Sequence, residues 1–273
     1  MSSHERQVDY PIKVLQITDT HLFKDSSGKL LGVDTYQSLK DVISLALNNK
    51  GTPDFVLLTG DLSQDETAES YRRLKELVHS IPCPKYYLPG NHDVPALMAE
   101  VFGQGERDIE LDRQFIWGRW QVILLNSTIP GEVGGHLEGQ ELARLESALA
   151  ENSGCFTLVC LHHHPLSINS SWIDTISVDN GRELFAVLDR HSNVRAVLWG
   201  HIHQQFEGER NGVKLMATPS TCVQFKPRAD DFGVDQRPPG CRWIELGEDG
   251  SVSSEVMRLA RMPAGLNLSS AGY

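Results

Sequence analysis

The sequence IKVLQITDTH, from Ile12 to His21, runs from a short apolar strand into an aspartate and a histidine. DFVLLTGD, from Asp54 to Asp61, has the same design and ends in another aspartate. Four of the five blocks of this kind follow an apolar run, and the later three are YYLPGNHD (86–93), TLVCLHHHP (157–165) and VRAVLWGHIH (194–203). Packing does not require polar strand ends beside glycine, whereas hydrolytic metal chemistry does.

Strands and helices alternate around the first blocks. Apolar runs predict strands at Lys13 to Thr18 and at Phe55 to Leu58. Apolar residues at helical spacing predict helices at about Thr35 to Asn48 and Glu66 to His79. Strands that alternate with helices build a parallel sheet, so the polar residues of these blocks project from strand ends.

The second half of the chain has a different pattern. We predict two strands within Ile109 to Asn126 that turn at Trp117 to Arg119, and helices at Glu138 to Glu151 and Arg182 to Arg190. After His203 the strands are shorter, and turn signals favour antiparallel pairing. We expect the first half to build one sheet and the second half its partner. The predicted fold class is α/β, with two packed mixed sheets and helices outside.

Length and charge limit the classes of protein to consider. The chain has 273 residues, and the polar blocks extend from residue 19 to residue 203 without a linker, which predicts one domain. We expect this domain to span residues 12–260, with tails at 1–11 and 261–273 that fray from Pro263 onward. The formal charge is −11 and basic residues are scattered, so nucleic acid is not expected as a partner. Monomer and homodimer both remain open.

The sequence also predicts a compartment. Its apolar runs are far shorter than the roughly 18 residues of a membrane span. The polar start MSSHERQVDYP lacks the apolar core of an export signal. Five cysteines form no CxxC pair, which favours reduced thiols. We therefore expect a cytoplasmic protein without membrane contact.

Two blocks have the spacing of a chelating pair. Asp19 and His21 are separated by one residue, so both side chains of an extended strand end point the same way and can bind one ion. His201 and His203 repeat this spacing with two imidazoles, which suit Zn, Mn or Fe. Asp61 can bridge two cations through its two oxygens, or it can cap a helix.

The blocks GNHD and HHHP carry the remaining candidates. Asn91 offers a neutral oxygen for a second metal ion, and His92 is then free to act as an acid. Asp93 is expected to cap the following helix or to orient His92. Within His162 to His164, alternation turns His163 away from its two neighbours, so either the middle histidine or the outer two face the site.

Together, DxH, GD, GNHD, HHHP and GHIH resemble the calcineurin-like metallophosphoesterase superfamily, with the blocks in the same order. Three further segments are similar to the bacterial class III 3′,5′-cyclic-AMP phosphodiesterases: SWID (171–174), ATPSTCVQF (217–225) and RWIEL (242–246). The resemblance covers about residues 12–260. It implies a four-layer sandwich of two mixed β-sheets flanked by helices, and metal-dependent hydrolysis of cyclic AMP to 5′-AMP.

The resemblance also implies two metal ions per chain, Fe with Mn or another divalent ion, or Zn. One ion is assigned to Asp19, His21, Asp61 and His203. The other is assigned to Asp61, Asn91, His163 and His201, so that Asp61 bridges the two. His163 is chosen over His162 because it stands two residues before Pro165, as in the family motif. A hydroxide shared by the ions would attack phosphorus, while His92 would protonate the leaving 3′ oxygen.

Substrate contacts are expected at five of these residues: His21, Asp61, Asn91, His92 and His203. Trp172 and Phe225 are candidate contacts of the adenine base, although aromatic residues in loops are more often packed locally. One alternative is a broader phosphodiesterase that acts on 2′,3′-cyclic nucleotides or glycerophosphodiesters. Another is a metal-binding interaction module without catalysis, which should have lost ligands.

Overall fold

The computed structural model describes residues 8–103, 109–110, 113–270 and 272. Most of the predicted N-terminal tail, residues 1–7, lies outside the described residues. Over the described ranges the chain folds into two six-stranded sheets that pack face to face and carry helices on their outer sides. The predicted α/β class, with two mixed sheets flanked by helices, is confirmed.

The first sheet is parallel around its centre. In spatial order its strands are β16 (Val252–Arg258), β15 (Gly240–Leu246), β1 (Ile12–Ile17), β4 (Phe55–Thr59), β5 (Lys85–Leu88) and β6 (Ile109–Glu110). The last four run parallel, and β15 is antiparallel to both β1 and β16. The helices of this half of the chain are α1 (Thr35–Lys50), α2 (Ala68–His79) and α3 (Pro95–Phe102).

The second sheet is also parallel around its centre. In spatial order its strands are β11 (Phe206–Arg210), β12 (Val213–Ala217), β10 (Val194–Trp199), β9 (Phe156–Cys160), β8 (Trp120–Leu124) and β7 (Gln114–Trp117). Only its two edge strands are antiparallel to their neighbours. The other elements are α4 (Gly139–Glu151), α5 (Ser171–Asp174), α6 (Gly181–Leu188) and two short hairpins, β2 (Lys29–Leu30) with β3 (Val33–Asp34) and β13 (Gln224–Phe225) with β14 (Val234–Asp235).

Alternation along the strands builds the layers. Val14 of β1 faces the second sheet and packs in one buried cluster with Leu158 of β9. Its neighbour Leu15 faces the other way and packs in the cluster that contains Val42 of α1. Because successive side chains of a strand point to opposite faces, each sheet buries one face against the other sheet and one against helices.

The expected division into one sheet for each half of the chain is wrong. β15 and β16 come from the end of the chain but complete the first sheet, with Leu246 opposite Ile12. β7 and β8 come from the first half but form one edge of the second sheet. Apolar alternation identifies a buried strand and its face, but it contains no information about the neighbouring strand. β15 covers an edge of β1 that would otherwise be open to pairing.

The segment after Pro263 packs against the β2–β3 hairpin instead of fraying as expected. The N–H of Asn267 donates to the carbonyl of Leu31 at 2.8 Å. The backbones of Gly265 and Gly32 are in contact, and a Cβ on either residue would collide with the other. Their φ angles are +97° and +86°, in a region that residues other than glycine adopt only under strain.

Candidate metal centre

The candidate ligands meet where strands of both sheets end. Asp19 and His21 follow β1, Asp61 follows β4, and Asn91 and His92 follow β5. From the second sheet, His162 to His164 follow β9, and His201 and His203 follow β10. Since these strands are parallel within each sheet, their carboxyl ends share one edge, where the two sheets bring the polar loops together.

The backbone at these loops is strained. Residues with a side chain rarely adopt positive φ, and holding one there costs of order 1–3 kcal/mol. Five candidate ligands nevertheless have positive φ: Asp19 (53°), His21 (45°), Asp61 (51°), His201 (68°) and His203 (48°). Strain concentrated on residues that are also candidate metal ligands indicates a functional site.

One group of side chains, the Asp19 cluster, consists of Asp19, His21 and His203. Their ligand atoms all lie within 4.8 Å of one another, and all three side chains are buried. His21 Nε2 lies 3.1 Å from His203 Nε2, which lies 3.4 Å from Asp19 Oδ1. Ligand atoms that bind one ion at about 2.0–2.2 Å stand about 3 Å apart, so these separations fit a shared cation.

Hydrogen bonds fix the direction of both imidazoles in the Asp19 cluster. His21 Nδ1 donates to Gln64 Oε1 at 2.6 Å, and His203 Nδ1 donates to the carbonyl of Val223 at 2.9 Å. In neutral rings both Nε2 atoms therefore present lone pairs to each other, an arrangement that a cation between them stabilises. Burial lowers the pKa of His21 well below its ordinary value, which favours the neutral, metal-binding form.

A second group, the Asp61 cluster, consists of Asp61, His162 and His201, again with ligand atoms within 4.8 Å of one another. His162 Nε2 lies 3.3 Å from Asp61 Oδ2. Buried atoms around this cluster have no hydrogen-bond partner among the described residues: Asp61 Oδ2, Asn91 Oδ1, His162 Nε2, His163 Nε2 and His201 Nε2. Buried polar atoms without a hydrogen bond are costly, and Asp61 Oδ2 and His162 Nε2 contact each other only as an ion pair, so five such atoms in one place fit a bound cation.

Electrostatics in the Asp61 cluster are dominated by the carboxylate. Burial would raise the pKa of Asp61, but the imidazoles of His162 and His92 outweigh burial and hold the pKa well below its ordinary value. Burial would lower the pKa of His162, but Asp61 reverses this and raises the pKa to about 9. Burial, reinforced by neighbouring histidines, lowers the pKa of His163 to about 3 and that of His201 well below its ordinary value.

The structure places His162 beside Asp61, whereas both histidines lie near His201, with ring centroids 5.1 Å from it for His162 and 4.7 Å for the predicted ligand His163. The His162 ring packs against Gly60 and Gly90, where a Cβ would collide with it. The His163 ring instead covers Gly135, and its Nδ1 lies 2.8 Å from Ser127 Oγ. Because the His162 ring lies beside the Asp61 carboxylate, His162 is a second candidate for the ligand position assigned to His163, and that assignment stays a prediction.

His92 lies on the more open side of the site and is only partly buried. The backbone N–H of His92 donates to Asp61 Oδ1 at 2.9 Å, and the His92 ring centroid is 5.1 Å from that of His21. Asp93, next to it, does not cap the following helix as expected, because the N-cap of α3 is Val94. Asp61 does not cap a helix either, because Thr67 is the N-cap of α2.

The two candidate base contacts have different environments. Phe225 is 1% exposed and stacks on His203, with centroids 4.2 Å apart and planes 9° apart. Burial of this ring argues against the predicted base contact and gives Phe225 a supporting role behind His203. Trp172 is partly buried, packs 5.2 Å from Phe225, and its Nε1 has no hydrogen-bond partner in the described part of the chain. A base contact by Trp172 stays a prediction.

Sequence reasoning missed residues that hold the ligands. Gln64 supports His21, Ser127 contacts His163, and the carbonyl of Thr59 accepts from His162 Nδ1 at 2.8 Å. Thr59 stands inside the DFVLLTGD block but acts through its backbone carbonyl, and Gln64 and Ser127 stand outside the quoted blocks. Gln64 stands three residues after Asp61, and its role follows from the fold alone.

Two packed α/β layers with imidazoles and carboxylates clustered at the strand ends define a metal-dependent hydrolase. A family model described as calcineurin-like phosphoesterase matches residues 12–205. The chain belongs to this family, whose members have a divalent metal centre.

Relatives and solved structures agree with this placement. The chain is 42% identical over 263 residues to the 3′,5′-cyclic adenosine monophosphate phosphodiesterase CpdA of Haemophilus influenzae, covering 96% of this chain and 95% of the relative. It is 37% identical to the CpdA of Pseudomonas aeruginosa over 276 residues, 100% of both chains. A dimetal phosphatase from Danio rerio has the same fold, with a TM-score of 0.62 at 13% identity over 92% of this chain and 99% of that one. Within the described residues, no helix is long and apolar enough to cross a membrane.

Proposed function

We propose that the protein hydrolyses 3′,5′-cyclic AMP to 5′-AMP. The observation that carries this proposal is the junction of the Asp19 and Asp61 clusters, where Asp61 Oδ2 lies 3.8 Å from His21 Nε2 and 3.3 Å from His162 Nε2. Cyclic AMP is proposed as the substrate because the chain is similar to cyclic-AMP phosphodiesterases over nearly its whole length.

The residues fit two divalent ions. One is proposed to bind Asp19, His21 and His203, and the other Asn91, His201 and one of His162 and His163, with Asp61 shared between them. Imidazole and carboxylate ligands suit Fe, Mn or Zn. When bound, such ions lower the pKa of water and stabilise negative charge on a phosphoryl group.

The chain's own residues then orient the phosphodiester and handle the proton. Asn91 and His92 are the more exposed members of the site, so the substrate is proposed to enter from their side. It is also proposed to contact His21, Asp61 and His203. A new bond forms between phosphorus and a water oxygen, and the bond between phosphorus and the 3′ oxygen breaks.

His92 is proposed to give its proton to the departing 3′ oxygen. An alkoxide is a poor leaving group, and a positioned proton donor contributes about 10²–10⁴-fold in rate. The hydrogen bond from the backbone of His92 to Asp61 Oδ1 holds this residue at the edge of the site, where its imidazole remains partly exposed.

The test is a comparison of substrates. The purified, metal-analysed protein is assayed against cyclic AMP, cyclic GMP, 2′,3′-cyclic AMP and bis(p-nitrophenyl) phosphate. We expect the largest kcat/KM for cyclic AMP, with 5′-AMP as the product. Equal kcat/KM values for all four substrates would support the broader phosphodiesterase. If the protein holds its metal ions but turns over none of these substrates, the proposal that it is an enzyme is contradicted.

A further inference from the structure

We propose that Asp93 and Tyr71, together called the Asp93 clamp, set the distance between the loop carrying Asp61 and the loop carrying Asn91 and His92. This inference rests on the proposed function, because it assigns a positioning role around the same metal ligands.

The carboxylate of Asp93 divides its two oxygens between the two loops. Oδ1 accepts the N–H groups of Leu62 and Ser63, each at 3.1 Å. Oδ2 accepts the N–H of Gly90 at 2.9 Å and shares that of Leu62 at 3.1 Å. Leu62 directly follows Asp61, and Gly90 directly precedes Asn91. One carboxylate thus joins the neighbours of two candidate metal ligands.

The loops that Asp93 joins are already in backbone contact. A Cβ on Gly90 would collide with the backbone nitrogen and the carboxylate of Asp61. The N–H of His92 donates to Asp61 Oδ1 at 2.9 Å, which leaves Oδ2 to face the ligand clusters. At this separation, a small shift in either loop changes how Asp61 and Asn91 face a common ion.

Tyr71 anchors the carboxylate to the helical layer. Its side chain is buried on α2, its hydroxyl donates to Asp93 Oδ1 at 3.1 Å, and the hydroxyl oxygen accepts the N–H of Val94 at 2.8 Å. Its ring packs edge-on against Phe102 of α3, with centroids 5.9 Å apart. Because α2 belongs to the packed core, Tyr71 gives the Asp93 carboxylate a fixed reference.

The clamp accounts for a carboxylate that neither caps α3 nor belongs to a ligand cluster. Its two oxygens receive four different donors, three from the loops that carry candidate ligands and one from Tyr71 of α2. Residues that orient metal ligands in this way typically contribute about 10–100-fold to metal affinity. Loss of the clamp should therefore weaken metal binding without removing a ligand.

Three single variants test the clamp. Asp93→Asn keeps the shape but replaces one acceptor oxygen with a donor, which then faces a backbone N–H. Tyr71→Phe removes only the hydroxyl. Tyr87→Phe is the matched control, because Tyr87 is a buried tyrosine that packs on the same Phe102 and whose hydroxyl has no hydrogen-bond partner among the residues described.

Mn²⁺ affinity of the full-length, metal-free variants is measured by titration calorimetry, and the Mn²⁺-loaded forms are examined by EPR for coupling between two ions. We expect Asp93→Asn to lose about 10–100-fold in affinity and the coupled signal, Tyr71→Phe to lose less in the same direction, and Tyr87→Phe to match the unaltered protein. Unchanged affinity and coupling in Asp93→Asn would overturn the clamp, as would an equal loss in Tyr71→Phe and Tyr87→Phe. These readouts involve no nucleotide, so failure to cleave cyclic AMP would not affect them.

Discussion

The Asp19 cluster and the Asp61 cluster are neighbours, but the protein holds them differently. In the Asp19 cluster both imidazoles donate from Nδ1 to a defined acceptor, and the ligand atoms stand 3.1 and 3.4 Å apart. In the Asp61 cluster, Asp61 Oδ2, His162 Nε2 and His201 Nε2 have no hydrogen-bond partner within the described chain. One ring of the Asp61 cluster is held in the same way, since His162 Nδ1 donates to the carbonyl of Thr59 at 2.8 Å. The first cluster has both rings arranged by hydrogen bonds, whereas the second leaves more buried atoms for a cation to satisfy.

This difference predicts that the two clusters respond differently to the loss of metal. The Asp19 cluster, in which hydrogen bonds at Nδ1 hold both imidazole rings, keeps its geometry when metal leaves. The Asp61 cluster has several buried atoms without a hydrogen bond, so a bound cation stabilises it more by coordinating those atoms. Asp61 connects the two, since one of its oxygens is within 3.8 Å of both His21 and His162.

Asp61→Ala should have the largest effect, because it removes the residue that the two clusters share. We expect bound metal to fall below one ion per chain by elemental analysis, and kcat/KM to fall well beyond the about 10–100-fold that loss of an orienting residue costs. Asp41→Ala, on an exposed position of α1, is the control and should change neither quantity. Normal metal content in Asp61→Ala would contradict the proposal that Asp61 is a ligand shared by the two clusters.

His92→Ala should lower kcat by about 10²–10⁴-fold while both clusters keep their metal, because His92 is proposed as a proton donor and not as a ligand. The comparison variant is His136→Ala, because His136 belongs to neither cluster and its Nδ1 lies 2.6 Å from Asp179 Oδ1. Steady-state kinetics with cyclic AMP and elemental analysis measure the two quantities. A His92→Ala protein that keeps its rate, or that loses metal along with its rate, contradicts the assignment.

His162→Ala and His163→Ala should differ in a way that sharpens the description of the Asp61 cluster. If His162 is the ligand, its removal should weaken Mn²⁺ binding more than the about 10–100-fold expected when a supporting histidine is lost. His163→Ala should then show the smaller loss. Titration of the metal-free proteins ranks them, and the opposite order would support the assignment made from the position of Pro165.

The histidine triplet shows where sequence reasoning reaches its limit. Alternation applies within a strand, but β9 ends at Cys160, so it no longer determines the direction of residues 162–164. The other six predicted ligands stand at strand ends with a neighbouring glycine or a DxH-type pair, and the parallel sheets carry them to one edge. Their convergence was predictable because it depends on topology and not on loop conformation.

The fold was predictable to the same extent and for a related reason. Period-two and helical spacing identified most strands and helices, and hence the layers. The position of β15 beside β1 could not be predicted, since pairing between residues 12 and 246 depends on which edge of the sheet is open. Phe225 is a similar case: its sequence shows an aromatic residue in a loop, but only the fold places it against His203.

Gln64→Ala should have the smallest effect of the four and should act on the Asp19 cluster alone. Without the acceptor for Nδ1, the His21 ring loses its fixed direction, and we expect metal affinity in this cluster to fall by about 10–100-fold. Gln64→Glu keeps an acceptor oxygen within reach and should retain most of the affinity. Two-site titration with Mn²⁺ distinguishes the clusters, because only one of the two binding steps should weaken. If both steps weaken equally, the two clusters respond as a single unit, and the separation between a cluster arranged by the protein and a cluster completed by the metal does not hold.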